Sequence, residues 1–181
     1  MHYRRYFSNG KLLKRKEARI LSEAELQKQL DRCDILLPRP RNYWIETNYS
    51  QYAHAHHAID LDTTREILRE RYPVYIKAFD ASMKRTVGHR FNMFVMSHEK
   101  LCAYCAWLFD VLFELEKRLD ISSYSPYNAR VFGFVAERLL DVWIETNGYR
   151  YRELPVVNME RQHWLRKGTS FVLRKIGVRV R

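Results

Sequence analysis

Apolar residues recur every three or four positions in the second half of the chain, which is the spacing of one face of an α-helix. From Ser97 onwards they fall at positions 101, 105, 108, 112, 115 and 119. A second series runs through Phe132, Val135, Leu139 and Val142 to a stop at Asn147 and Gly148. The two series predict two long core helices, the second over residues 127–147.

Shorter patterns predict the remaining elements. The runs CDILLP, FNMFVM and YRELPVV predict strands at residues 33–38, 91–96 and 151–157, and HYRRYF at 2–7 predicts the end of another. Ser22 with Glu25, and Thr63 with Glu66, have capping-box spacing, so each pair predicts a helix start. Further helices are expected from Thr47 and, after an interruption at Pro73, over about residues 75–85. The sequence therefore predicts a mixed, helix-rich α/β fold.

Length and composition fit one compact domain, because the chain has 181 residues of which 46% are hydrophobic. We assign that domain to residues 1–160 and a basic tail to residues 161–181. No apolar run is long enough to span a membrane, and the N-terminus has no apolar signal region, so a cytoplasmic protein is expected. The three cysteines are predicted to be reduced, buried thiols; Cys102 and Cys105 have CxxC spacing but are expected to pack in a helix.

The positive charge lies at the two ends of the chain. The formal net charge is +11, yet residues 1–19 hold seven cations and one acid, and residues 161–181 hold seven cations and no acid. This distribution favours contact with a polyanion or an anionic membrane, and two solvated tails are the alternative. In the tail, Phe171 to Ile176 could form a short amphipathic turn that enters a lipid interface.

Three groups of polar residues are candidates for chemistry. His54, His56, His57, Asp60 and Asp62 could ligate a metal, but Asp60, Asp62 and Thr63 are better placed to cap a helix, so no metal site is predicted. Tyr3, Arg4, Arg5 and Tyr6 offer two guanidinium groups for a pyrophosphate and two rings for stacking. The third group is interpreted as a solvated helix stripe with ion pairs; its members are Arg130, Glu137, Arg138, Asp141 and Glu145.

Taken together, several strings resemble one family. They are HYRRYF at 2–7, DILLPRPRNYWIETNYSQYAHAHH at 34–57, DLDTTREIL at 60–68, GHRFNMFVM at 88–96 and YSPYNARVFGFVAERLLDVWIE at 124–145. The family is that of bacterial capsular and exopolysaccharide biosynthesis proteins, catalogued under a domain of unknown function and grouped with GT-A glycosyltransferases. The resemblance extends from His2 to about residue 168. It implies the C-terminal, acceptor-side part of a GT-A-like nucleotide-diphospho-sugar transferase fold. The nucleotide-binding half is expected upstream of residue 1, so the chain is expected to be truncated.

The resemblance also implies a function and roles for residues. The expected reaction is transfer of a hexosyl group from a nucleotide sugar to a lipid-linked oligosaccharide in capsular polysaccharide, exopolysaccharide or O-antigen synthesis. Tyr3, Arg4 and Arg5 would bind the leaving diphosphate, and Asp62 or Glu137 would act as general base. The acceptor would meet His54, His56, His57, Asp60 and Arg130.

The same resemblance allows a divalent cation, Mn²⁺ or Mg²⁺, in the complete family fold, although no metal ligand is assigned. The basic tail would hold the protein peripherally at the inner membrane face, where the acceptor lies. Two alternatives stay open: an inactive gene fragment, and a basic nucleic-acid-binding module. The second ranks lower because the body of the chain is nearly neutral and carries no nucleic-acid-binding motif, so no nucleic-acid partner is expected.

Overall fold

The computed structural model describes residues 4–11, 13 and 15–160, which form short strands and α-helices in one helix-rich α/β unit. The strands are β1 Arg5–Phe7, β2 Ile35–Pro38, β3 Arg41–Asn42, β4 Val87–Gly88, β5 Val95–Met96, β6 Tyr151–Leu154 and β7 Val156–Asn158. The helices are α1 Glu23–Leu30, α2 Asn48–Ala55, α3 Ala58–Arg71, α4 Ile76–Lys84, α5 His98–Arg118 and α6 Val131–Thr146. The tail from residue 161 lies outside the described residues.

The strands pair in three small sheets. β2 is central, antiparallel to β5 and parallel to β6, with Ile35 opposite Met96 on one side and Tyr151 on the other. β1 pairs with β7, and β3 pairs with β4, both antiparallel. The strand predicted at 33–38 is therefore confirmed, whereas the single strand predicted at 151–157 is two strands, β6 and β7, in different sheets. The one predicted at 91–96 is shorter, because only Val95 and Met96 pair.

β2 separates two apolar clusters because successive side chains of a strand point to opposite faces. Ile35 and Leu37 pack into the large core formed with the helices. Leu36 packs on the other face into a smaller cluster of Phe7, Met93 and Leu154. All of β2 is consequently buried, as its apolar sequence predicts.

Three of the predicted helix starts are confirmed by their caps. The hydroxyls of Ser22, Thr47 and Ser97 each accept a hydrogen bond from the backbone three residues on. At the start of α1 the cap is reciprocal, since the Glu25 carboxylate also accepts from the Ser22 backbone N–H at 2.9 Å. α6 ends at Thr146 with Asn147 as its C-cap, and Gly148 follows with a φ of +65°.

Two predicted helix starts are wrong. α3 begins at Ala58, so Thr63 is an interior residue, and neither Asp60 nor Asp62 is its N-cap. Helix α6 begins at Val131, because residues 128–130 form a separate 3-10 turn. The observed boundaries lie close together in space, since Asn128 before α6 contacts His56, the C-cap of α2, and His57, the N-cap of α3.

The stripe predicted to be solvated along α6 is partly buried, which corrects that interpretation. Arg138 is 4% exposed; its guanidinium donates to Gln51 Oε1 at 3.0 Å and to the Phe134 carbonyl at 2.8 Å. Burial lowers the pKa of Arg138 to about 10. Asp141 accepts from His89, both from the backbone N–H at 2.9 Å and at Nδ1 at 2.6 Å. This buried network fixes the segment around residue 90 against α6.

The three cysteines are free thiols, as expected, but they are not all buried. Cys33 and Cys105 are half-buried, and Cys102 is exposed with its sulfur 3.7 Å from His98 Nε2. Among the described residues, no helix combines the length and apolar character needed to cross a membrane.

Candidate functional site

A cavity of about 480 Å³ opens where the segment after β4 meets the start of α6. Its walls are Phe91, Asn92, Arg130, Phe132, Gly133, Phe134 and Glu137. Two of these residues, Arg130 and Glu137, were predicted to function in the site. The structure therefore brings a cation and a carboxylate from the predicted set into one cavity.

The wall at Phe91 and Asn92 has an unusual backbone. Their φ angles are +82° and +46°, in the left-handed region that few residues other than glycine adopt. The Asn92 amide donates to the Gly133 carbonyl at 3.3 Å, which joins this wall to α6. Such a conformation is held by its surroundings and is commonest at functional sites. The pattern FNMFVM indicated a strand here, not this turn.

Arg5 reaches the same wall from β1. Its guanidinium carbon lies 4.0 Å from the centre of the Phe91 ring, a cation–π contact. Partial burial lowers the pKa of the Arg5 guanidinium, and the negative charge of Glu137 opposes that shift. Arg5 and Glu137, far apart in sequence, thus interact electrostatically beside the cavity.

The N-terminus of α6 adds positive potential to the cavity. Arg130 is the N-cap residue, and residues 132–134 of the first turn line the cavity wall. The first backbone N–H groups of a helix have no intrahelical partner and carry a partial positive charge. With the Arg130 guanidinium 5.4 Å from the Phe134 ring centre, the arrangement suits an anionic group.

Arg4 and Arg5 engage different partners. The Arg4 guanidinium pairs with Glu160, with Nε 2.9 Å from Oε1, on the exposed side of the chain. Of the two guanidinium groups predicted to grip one pyrophosphate, that of Arg5 contacts the cavity wall and that of Arg4 pairs with Glu160. Tyr3, the third predicted diphosphate ligand, lies outside the described residues.

The predicted histidines separate into two groups. His54 is exposed and its Nδ1 lies 2.7 Å from Glu46 Oε1. His56 and His57 are joined by Asn128: its Oδ1 lies 3.1 Å from His56 Nδ1, and its Nδ2 lies 3.1 Å from His57 Nε2. His56 also stacks on Phe134 of the cavity wall, with ring centres 4.2 Å apart.

Asp60 is a buried residue that joins two tyrosines. It is 1% exposed, and its two carboxylate oxygens accept from Tyr52 at 2.7 Å and from Tyr124 at 2.6 Å. Burial and the bond to Asp60 raise the pKa of both phenols. Since Tyr124 stacks on His57 at 4.1 Å, Asp60 fixes the position of the histidine pair.

Asp62 lies elsewhere. It lines a second cavity of about 390 Å³ and accepts a hydrogen bond from Tyr49 at 2.9 Å. Arg65 and Asp80, which form a two-bond ion pair at 2.7 and 2.8 Å, line the same cavity. The two carboxylates predicted as general base therefore belong to different cavities.

Within the part of the chain that the structure describes, no group of three or more His, Cys, Asp or Glu side chains is arranged to hold a metal ion. We accordingly assign no described residue to a divalent cation.

Sequence reasoning missed several residues that shape the site. Five residues were given no role, although the strings that carry the family resemblance include them all: Phe91, Asn92, Tyr127, Asn128 and Phe134. The one local signal was Asn92, since asparagine tolerates left-handed backbone better than most residues.

Comparisons with known proteins identify a similar fold and the family of this chain. The solved apo structure of WbbM, described as a bifunctional glycosyltransferase, superposes with a TM-score of 0.80 at 26% sequence identity. The match covers 89% of this chain and 33% of that chain, so the chain spans about a third of the neighbour's length. A search of curated proteins found no match to this chain. The family model described as a domain of unknown function (DUF4422) matches residues 1–148, and the chain belongs to this family.

Proposed function

We propose that the protein is a glycosyltransferase of capsular polysaccharide, exopolysaccharide or O-antigen synthesis, which moves a hexosyl group from a nucleotide sugar to a lipid-linked oligosaccharide. The observation that carries the proposal is the cavity with Arg130 and Glu137 in its wall and Arg5 beside it. It lies in a fold that matches a solved glycosyltransferase structure.

The donor diphosphate is assigned to the positive side of the cavity. Arg5, Arg130 and the backbone N–H groups at the start of α6 offer charge and hydrogen bonds to phosphate oxygens. When the bond between the sugar C1 and the diphosphate breaks, negative charge grows on the leaving oxygen. Positive groups already in place stabilise that charge in the transition state.

Glu137 is assigned as the general base. Its carboxylate lines the cavity, whereas Asp62 lines the second cavity and is bonded to Tyr49. The acceptor hydroxyl oxygen attacks C1 of the donor sugar, its proton passes to Glu137, and the nucleoside diphosphate departs. The acceptor would approach along His56 and His57, next to Phe134, while Asp60 positions the histidine pair through Tyr124.

A lipid-linked acceptor requires the protein to work at a membrane, and one exposed loop supports this. Trp44 and Ile45 are 80% and 73% exposed after β3. The Trp44 backbone N–H donates to Asn42 Oδ1 at 2.8 Å, and its φ of +63° is a strained conformation for a bulky residue. Arg41, which is exposed, lies in β3 just before the loop. Tryptophan beside cations is typical of a lipid interface, and the basic tail would add to this contact.

The reaction is tested by binding and transfer with the full chain. UDP, GDP and dTDP are titrated calorimetrically, and transfer is assayed with the corresponding nucleotide hexoses and a lipid extract as acceptor. Arg130→Ala should weaken nucleotide binding about 10- to 100-fold, the effect of losing one charge-assisted hydrogen bond. Glu137→Gln should abolish transfer and retain binding.

The matched control is Arg65→Ala in the second cavity, which should leave nucleotide binding intact. Binding that depends on Arg65 and not on Arg130 would move the donor to the second cavity. The absence of both binding and transfer would refute the function for this chain and favour the alternative of an inactive gene fragment.

The membrane contact is tested separately by vesicle sedimentation. The variant Trp44→Ser with Ile45→Ser should bind anionic phosphatidylglycerol vesicles less than the wild type. The control is Phe109→Ser with Phe113→Ser, which removes the stacked and exposed pair on α5. Equal losses in both variants would show that general surface hydrophobicity, and not the Trp44 loop, governs binding.

A further inference from the structure

A ledge of aromatic rings continues outward from the cavity. It consists of Phe134, His56 and Tyr127, and we call it the aromatic ledge. Phe134 lines the cavity, and its ring centre lies 4.2 Å from that of His56 and 5.2 Å from that of Tyr127. The His56 and Tyr127 rings are nearly parallel, at 20° and 5.6 Å. The ledge therefore runs from the proposed reaction cavity to the protein surface.

The outermost ring is available to a ligand. Tyr127 is 58% exposed although it packs against two other rings. Its backbone belongs to a short hydrogen-bonded turn, in which Ala129 N–H donates to the Ser125 carbonyl at 2.8 Å and Arg130 N–H to the Tyr127 carbonyl at 3.3 Å. A large ring held at the surface by its neighbours loses little freedom when a flat ligand stacks on it.

Polar groups of defined hydrogen-bonding sense border the ledge. Asn128 Nδ2 can only donate, so His57 Nε2 must accept. Asn128 Oδ1 can only accept, so the proton of neutral His56 lies on Nδ1. The lone pair of His56 is then on Nε2. Burial lowers the pKa of His56, which keeps the imidazole neutral at physiological pH.

These features match the chemistry of a pyranose ring. A pyranose has an apolar face of C–H groups that packs on an aromatic ring, and hydroxyls at its edge that donate and accept hydrogen bonds. The ledge offers the flat ring of Tyr127 and an acceptor at His56 Nε2. Tyr127, its outermost ring, lies outside the cavity walls and is exposed, so a glycan bound there can extend into solvent.

We propose that the aromatic ledge is a binding subsite for a pyranose unit of the acceptor glycan, stacked on Tyr127 with a hydroxyl donating to His56. The proposal rests on the proposed function, because it assigns the acceptor to the neighbour of the donor cavity. It adds a substrate class, a glycan that presents a hexopyranose near its reacting end, and it makes Tyr127 a specificity-determining residue.

The experiment measures sugar binding to the full chain by saturation-transfer NMR. The probes are methyl α- and β-pyranosides of glucose, galactose and mannose. Tyr127→Ala should weaken the best glycoside about tenfold, the range of an aromatic stacking contact, whereas Tyr127→Phe should bind like the wild type. The matched control is Tyr151→Ala, since Tyr151 is a similarly exposed tyrosine on β6, and it should leave glycoside binding unchanged.

The same samples are titrated with UDP, GDP and dTDP, which separates this inference from the proposed function. Loss of glycoside binding in Tyr127→Ala with unchanged nucleotide binding supports the subsite. Unchanged glycoside binding in Tyr127→Ala, or no glycoside binding by the wild type, overturns it even when a nucleotide binds and transfer proceeds. Loss of nucleotide binding in Tyr127→Ala would assign the ring to the donor base, and would also overturn the acceptor subsite.

Discussion

The guanidinium carbon of Arg5 lies 4.0 Å from the centre of the Phe91 ring, at the edge of the cavity. Phe91 has a φ of +82°, so the ring sits on a strained segment that joins β4 to β5. The contact ties β1 to this segment. Arg5 thereby stabilises the cavity wall at Phe91 and adds positive charge beside the cavity.

Arg5 and Arg4 should consequently differ in their effect on catalysis. We expect Arg5→Ala to lower kcat for transfer about 10- to 1000-fold, as loss of a transition-state charge contact does. Arg4→Ala should change kcat little, because Arg4 forms an exposed ion pair with Glu160. Steady-state kinetics of both variants measure the difference. Equal effects would mean that the two guanidinium groups act together, as the sequence first suggested.

Asp60 should matter for stability far more than Asp62 does. Asp60→Ala leaves the hydroxyls of Tyr52 and Tyr124 without their acceptor in a buried site, and should cost about 2–5 kcal/mol of unfolding free energy. Asp62→Ala removes one exposed hydrogen bond and should cost less than about 1 kcal/mol. Urea denaturation midpoints measure both losses. Similar midpoints for the two variants would show that the tyrosine pair gains little from Asp60.

His56 should make stability depend on mildly acidic pH. Burial lowers the pKa of His56 below the ordinary value of 6.5, so the unfolded chain binds a proton at a higher pH than the folded chain does. The contribution of His56 is therefore fully present above its unfolded pKa of 6.5 and is lost as the pH falls below that value through the lower folded pKa. Urea denaturation from pH 8 to 5 should show a shallower decline in His56→Gln than in the wild type. Parallel curves would contradict this assignment.

Two glycines should respond to alanine in opposite directions. Gly148 has a φ of +65° after α6, where an added Cβ is strained, so Gly148→Ala should destabilise the protein by about 1 kcal/mol. Gly133 lies within α6, and a Cβ there would meet no atom within 4 Å. Gly133→Ala should stabilise the protein by about 0.5–1 kcal/mol. Thermal unfolding of both variants checks the signs.

Features set by neighbouring residues could be predicted from the sequence. Ser22 and Ser97 cap their helices because the bond they accept comes from only three residues away. The buried strand β2 was evident from its unbroken apolar run. By contrast, Arg138 fits a solvated stripe by its helical spacing alone, and its burial depends on Gln51, 87 residues earlier in the chain. The spacing of one helix carries no information about such a partner.

The candidate site was predictable only in part, for the same physical reason. The family resemblance drew attention to Arg5, Arg130 and Glu137, which the fold brings to one cavity. Nothing local separated Glu137 from Asp62, because each is a carboxylate on a helix. Their assignment to different cavities depends on the packing of whole helices against one another.

The late strands β6 and β7 each pair with an early strand, which has a consequence for synthesis on the ribosome. β6 completes the sheet around β2, β7 pairs with β1, and the Arg150 N–H donates to Asp34 across 116 residues. β1 and β2 therefore cannot pair with β7 and β6 until the C-terminal residues have been synthesised. Contacts between residues so far apart in sequence also slow folding. Until residues 151–158 leave the exit tunnel, the nascent chain exposes the unpaired edges of both early strands. Chaperones that shield strand edges should therefore raise the yield of folded protein during expression.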